Sequence, residues 1–219
     1  YSRYWEGSSL ILQVRAQWYQ SLSSIFAFCT GDPKKQIEVD EWQELTARLA
    51  SMLFASALHK VSTLTHKDFD VIDPGSIDQE SLEFVSPMKL RCEVLLQWLQ
   101  MMFCEGIRRG IVDMPPPVAA LAFKDLSGGM VSLNEAEKLT AIQFPMPYAQ
   151  MVYILLLIYT FMAPCILALY AGLPQCAFFT FVSIMVYWGI HYVAVEIEMP
   201  FGDDANDLPL FTFQAEINE

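Results

Sequence analysis

Apolar side chains recur every three or four residues through the first two thirds of this chain and then run almost without a break. Leu10, Val14, Trp18, Leu22, Ile25 and Cys29 make one such stripe, which predicts a helix over 8–29. Gly31-Asp32-Pro33 stops it. A second helix is expected from Asp40, an N-cap with Gln43 three residues on as its reciprocal partner. Trp42, Leu45, Leu49, Leu53 and Leu58 lie on its apolar face. Residues 62–85 are polar and acidic around Asp73-Pro74-Gly75 and read as a loop. Ser86-Pro87 then opens a third helix, with Leu90, Val94, Trp98 and Met102 as its stripe and an end near Gly110. After Pro115, Pro116 and Pro117 a short helix is predicted to about Gly128-Gly129, and the capping box Ser132-Leu133-Asn134-Glu135 begins another. The prolines of Phe144-Pro145-Met146-Pro147 argue against regular helix there.

From Ala149 to Gly172 no side chain is ionised, and from Leu173 to Val195 only His191 interrupts the apolar run. A bilayer-crossing helix needs roughly 20 apolar residues, so the pattern predicts two spans joined by a small loop around Leu173, Pro174 and Gln175. All 13 Lys and Arg precede residue 149. Basic residues are held on the cytoplasmic side, which puts both ends of the hairpin there. A pair of core helices in a soluble protein is the competing reading, and the mean hydropathy of +0.32 over 219 residues argues against it. The domain reading is therefore a cytosolic helical region over 1–148, a transmembrane hairpin over 149–195 and an acidic cytosolic tail over 196–219. No strand-like alternation or internal repeat persists, and the fold class is an all-α membrane protein.

Charge narrows the partners. The net charge of −12 includes seven acids and no base from Glu196 onward, a poor match for nucleic acid, which calls for clustered Lys and Arg. The earlier amphipathic helices have mixed or acidic polar faces. A packed body below the bilayer suits them better than the basic faces of interfacial helices. Five scattered cysteines without CxxC spacing read as free thiols. No catalytic motif is present, and the chain is not read as an enzyme. The opening YSRYWEG has no signal-peptide pattern and starts without methionine in mid-pattern, as expected of a piece of a longer protein.

Three stretches together resemble the bestrophin and bestrophin-like anion channels. They are Ser2-Arg3-Tyr4-Trp5-Glu6, then 142–150 (IQFPMPYAQ), then the box PFGDDANDLPL at 200–210. The resemblance covers essentially the whole chain, residues 62–85 matching poorly. It implies a homopentamer around a central pore that passes chloride and other small anions such as bicarbonate. It also implies four membrane segments, of which this chain holds the second pair, with the narrow apolar neck upstream. The host membrane stays open: plasma membrane, or an organelle such as the chloroplast.

Two features carry over by resemblance. Gly110-Ile111-Val112-Asp113-Met114-Pro115 matches the stretch whose isoleucine forms the cytosolic aperture, with Val112 and Met114 departing from it. Ile111 would line the pore; the alternative is that it packs a helix end. Asp204 and Asp207 fall where calcium-gated relatives place two carboxylates, with backbone carbonyls at Glu196 and Met199 completing a shell. Ca2+ is thus the one cofactor implied, and none is required. The alternative is a capped, solvated turn, since Leu208 stands where an EF-hand loop needs glycine. Arg108 and Arg109 either attract anions or pair with Glu105 and Asp113. His191 is either a functional ionisable group within a span or an interfacial residue with its ring tip in water, and His59 and His66 are read as surface residues. A cation-conducting bacterial-type homologue and a non-conducting membrane scaffold are the alternative functions.

Overall fold

Among the described residues, four long helices before the apolar pair run alternately down and up, and the contacts at their ends reveal the arrangement. The computed structural model describes residues 2–62, 69–73, 75, 79–85, 88, 90–142, 145–202 and 207–219. The long helices are α1 (Ser2–Ala27), α2 (Gln36–Val61), α4 (Arg91–Arg109) and α5 (Pro116–Ala141), and a short α3 (Gln79–Val85) precedes α4. At one end, here the tip, Lys35 Nζ at the entry to α2 donates to the carbonyls of Arg109 (2.8 Å) and Gly110 (3.2 Å), where α4 ends. At the other end Lys60 reaches Glu93 on α4 (2.9 Å) and Glu137 on α5 (3.1 Å). At 1.5 Å per residue a 26-residue helix is about 39 Å long, which separates the two ends of the body.

Tryptophan and glycine set how closely the helices approach. Trp18 on α1 lies over Gly129 on α5, where an added Cβ would sit 2.2 Å from the indole nitrogen, and its N–H donates to the Leu126 carbonyl at 3.1 Å. Trp42 on α2 lies likewise over Gly106 on α4 and donates to the Met102 carbonyl at 3.2 Å. Each indole therefore buries its ring without orphaning its donor. This corrects the expected break at Gly128-Gly129. α5 is one helix from Pro116 to Ala141, and Ser132, expected to cap a new helix, is buried in its middle, its hydroxyl donating to Gln17 at 3.4 Å.

Other boundaries move for local reasons. α1 begins at Ser2 and α2 at Gln36, and Asp40 lies inside α2, accepting from Gln36 Nε2 at 2.8 Å. Ser86-Pro87 lies outside the described residues. The stripe of α4 facing the core is Cys92, Leu95, Leu99 and Phe103. The expected Leu90, Val94, Trp98 and Met102 are only its shoulder, with Leu90 exposed. Gly110 ends α4 at φ +67°, the left-handed conformation that only glycine adopts at no cost. α3 occupies part of the predicted loop.

The two apolar helices are α6 (Met146–Leu167) and α7 (Leu173–Glu196), and almost none of either is buried within the subunit. Their rise gives about 33 and 36 Å, enough to cross a hydrocarbon core of about 30 Å. Pro147 and Pro174 sit in their first turns, where a missing N–H leaves no bond unmade. Helix therefore starts within the Pro-Met-Pro stretch expected to resist it, and Leu173, Pro174 and Gln175 begin α7, not the connecting turn. The pair is stitched by Trp188 Nε1 donating to Thr160 Oγ1 at 3.0 Å and by ring contacts of Tyr153 with Trp188 and Tyr159 with Tyr187. The acidic tail is not free: α8 (Leu210–Asn218) docks on α2, burying Leu210 and Gln214.

Candidate functional site

Two loops carry the residues singled out by the sequence, and they lie at opposite ends of the body. At the tip, residues 28–30 lie alongside 111–113. The Thr30 N–H donates to the Ile111 carbonyl at 2.8 Å, the Asp113 N–H to Phe28 at 2.9 Å, and the Ile111 N–H to Gly106 at 2.9 Å. These bonds turn the Ile111 side chain inward, and it is 0% exposed in the hydrophobic core. Within the subunit Ile111 therefore packs a helix end. Large apolar side chains exposed at this end include Ile107, Phe28 and Ile37. Arg108 pairs with Glu105 at 2.8 Å and Arg109 with Glu38, so both arginines are charge-paired, the second with a partner other than Asp113. Burial pushes the Cys29 thiol above its ordinary pKa, a hydrogen bond with Gln43 acting against it.

The second loop follows α7. Its chain returns to the start of α1: Phe201 is 1% exposed against Gly7, where an added Cβ would come within 2.9 Å of its ring. The Leu208 N–H donates to the Pro200 carbonyl at 3.0 Å and closes the loop, which brings Asp207 back beside the segment leaving α7. Glu196 is the last residue of α7 and Met199 is exposed just after it. Asp204 lies outside the described residues. Among the described residues no group of three or more His, Cys, Asp or Glu could hold a metal.

The histidines divide. His191 lies among Tyr153, Trp188 and Tyr192, with ring centroids 5.9 to 6.3 Å away. His59 is half-buried edge-on against Phe69 at 4.8 Å, packed where a surface position was expected. His66 lies outside the described residues. Cys92 is 2% exposed, and burial, helped by the charge of Glu93, pushes its thiol up to about 12. Sequence reasoning missed the anchor between Arg3 and the segment after α7. The Arg3 guanidinium donates to the Leu139 and Ile142 carbonyls at the end of α5 and pairs with Glu198 at 3.5 Å. No local pattern links positions so far apart in the chain.

The sequence profile described as Bacterial/Fungal Bestrophin protein matches residues 1–219. A curated relative, the voltage-dependent anion channel-forming protein of Synechocystis sp., is 26% identical over 214 residues, covering 96% of this chain. The chain spans 66% of that relative's length. Two variants of a bacterial bestrophin homologue from Klebsiella pneumoniae superpose with TM-scores of 0.82 and 0.83 at 16% identity, over 100% of this chain and 76% of theirs. At that identity the likeness shows the fold: helical body and apolar hairpin together. With its whole length matched and two membrane-length helices returning to one helical body, the chain belongs to the bacterial/fungal bestrophin family and is a membrane protein.

Proposed function

We propose that this chain is the subunit of a bestrophin-type anion channel, five copies surrounding one pore that passes chloride and bicarbonate down their gradients. The observation that carries this is the hairpin. Both apolar rods are exposed to their surroundings along nearly their whole length, and both ends return to the same body. Such a subunit spans a bilayer and still offers a large helical surface to neighbouring copies. The relative named as a voltage-dependent anion channel-forming protein supports the choice of ion. Conduction requires an ion to enter favourably and leave readily, so paired arginines suit the pathway better than a deep basic well. The net charge of −12 does not oppose this, because a pore's field is set by local side chains and helix ends.

The test is a reversal potential for the full-length protein in a planar bilayer under a salt gradient. A shift toward the chloride equilibrium potential is expected. A shift toward the cation potential would replace this reading with cation conduction, and the absence of current from folded protein would leave a scaffold. The loop after α7 is the proposed calcium site, with Asp204 and Asp207 as carboxylates and Glu196 and Met199 as carbonyl donors. Loop closure beside Pro200 supports it. Current titrated with calcium should lose its dependence in Asp207→Asn, and a parent current indifferent to calcium refutes the site.

A further inference from the structure

Where the hairpin meets the body, a cavity of about 270 Å³ has one ionic wall and one apolar wall. The ionic wall is Arg3 and Glu198, 3.5 Å apart, with side chains 27% and 31% exposed. A guanidinium has five N–H donors in a fixed fork. Arg3 Nη2 serves the Leu139 and Ile142 carbonyls and Nη1 faces Glu198. Among the described residues this leaves the Nε–H and one Nη1–H uncommitted.

The apolar wall comes from both membrane helices, with Ala149 and Val152 near the start of α6 and Ala194 and Val195 near the end of α7. The alanines leave a notch between the helices, and Val152 and Val195 flank it with 42% and 52% of their surface exposed. His191 lines the same cavity one turn deeper, within the cluster of Tyr153, Trp188 and Tyr192. Amphipathic rings of this kind sit at the level of lipid headgroups. The cavity thus lies at the boundary between hydrocarbon and headgroups, and its walls change from apolar to ionic in the same direction.

We propose that this cavity binds the headgroup of a phospholipid carrying a primary ammonium. The phosphate takes the open donors of Arg3 and the His191 ring. The ammonium hydrogen-bonds the Glu198 carboxylate, and an acyl chain lies in the alanine notch. Charge complementarity selects this occupant. A wholly anionic headgroup meets Glu198 as a like charge, and a quaternary ammonium has no N–H to give it. The site is independent of what the channel conducts.

Native mass spectrometry of the full-length protein, with dioleoyl phosphatidylethanolamine, phosphatidylcholine and phosphatidylglycerol supplied equally, tests this. Phosphatidylethanolamine should be retained in preference to both others. Glu198→Gln should cut its retention about tenfold, the effect of losing one charge-assisted hydrogen bond, and leave phosphatidylglycerol undiminished. Ala194→Leu fills the notch outside the ionic wall and should lower retention of all three. Equal retention of the three lipids by the parent, or a preference unchanged in folded Glu198→Gln, overturns the proposal, as does unchanged retention in Ala194→Leu. Free phosphoethanolamine separates the two sources of this chemistry. Displacement of bound lipid assigns recognition to the headgroup alone, and lack of displacement assigns it to headgroup and acyl chain together; both support the site.

Discussion

Replacing Ile111 by alanine removes the three carbons beyond Cβ from a side chain with no exposed surface. Each buried methylene-sized group contributes about 0.8 kcal/mol, so the transfer loss alone is about 2.4 kcal/mol. The loop is pinned by the bonds from Thr30 to Ile111, from Ile111 to Gly106 and from Asp113 to Phe28. It therefore collapses little into the space left, and the unfilled cavity raises the loss to about 3–4 kcal/mol, inside the range for such substitutions. Thermal unfolding in detergent should show a marked drop for Ile111→Ala. Ile107→Ala, at a residue 37% exposed on the same end, should lose much less. In a planar bilayer, folded Ile111→Ala should keep the parent's relative anion permeability. Unchanged stability with altered permeability would refute this reasoning and return Ile111 to the pore wall.

Gly129→Ala drives a Cβ to 2.2 Å from the Trp18 indole nitrogen, and overpacking of this kind should destabilise by about 1–3 kcal/mol or more; an unchanged unfolding curve would mean that α1 and α5 separate freely. Iodoacetamide at pH 8.5 should label exposed Cys104 in the folded protein and spare Cys92, whose thiol stays protonated toward about 12; equal rates by mass mapping would contradict its burial. Alkaline stability follows from the same shift. The unfolded Cys92 thiol ionises near 9.0 while the folded one does not, so stability falls as pH rises from 9.0 toward 12. Lys60 adds to this. Burial lowers its pKa, but Glu93 and Glu137 outweigh it and leave the folded value raised. Its contribution is complete below the ordinary 10.5 and lost as pH climbs through the folded pKa, so Lys60→Gln should flatten that part of the pH–stability curve.

The hairpin, the all-α class and most of the long helices were legible because each is decided within its own segment. A run of some 20 apolar residues has one stable solution in a bilayer, since backbone donors must bond internally there. A three-and-four spacing likewise commits a segment to a helix before any partner is chosen. What a segment's partner decides stayed hidden. Gly128-Gly129 reads as a stop, yet α5 runs through it because Trp18 fills the space that side chains would take. The stripe of α4 was displaced by one position because two adjacent apolar rows compete, and only the packing of α2 against α4 chooses between them. Ile111 was read as an aperture residue by resemblance alone, and only the bonds between 28–30 and 111–113 show that within the subunit its side chain lies in the core. The tail became a docked helix, and Arg3 met Glu198, only when the hairpin brought the end of the chain back to its beginning. Local periodicity is written in neighbouring residues; which face is buried, and which distant charges meet, depends on surfaces that exist only once the helices have packed.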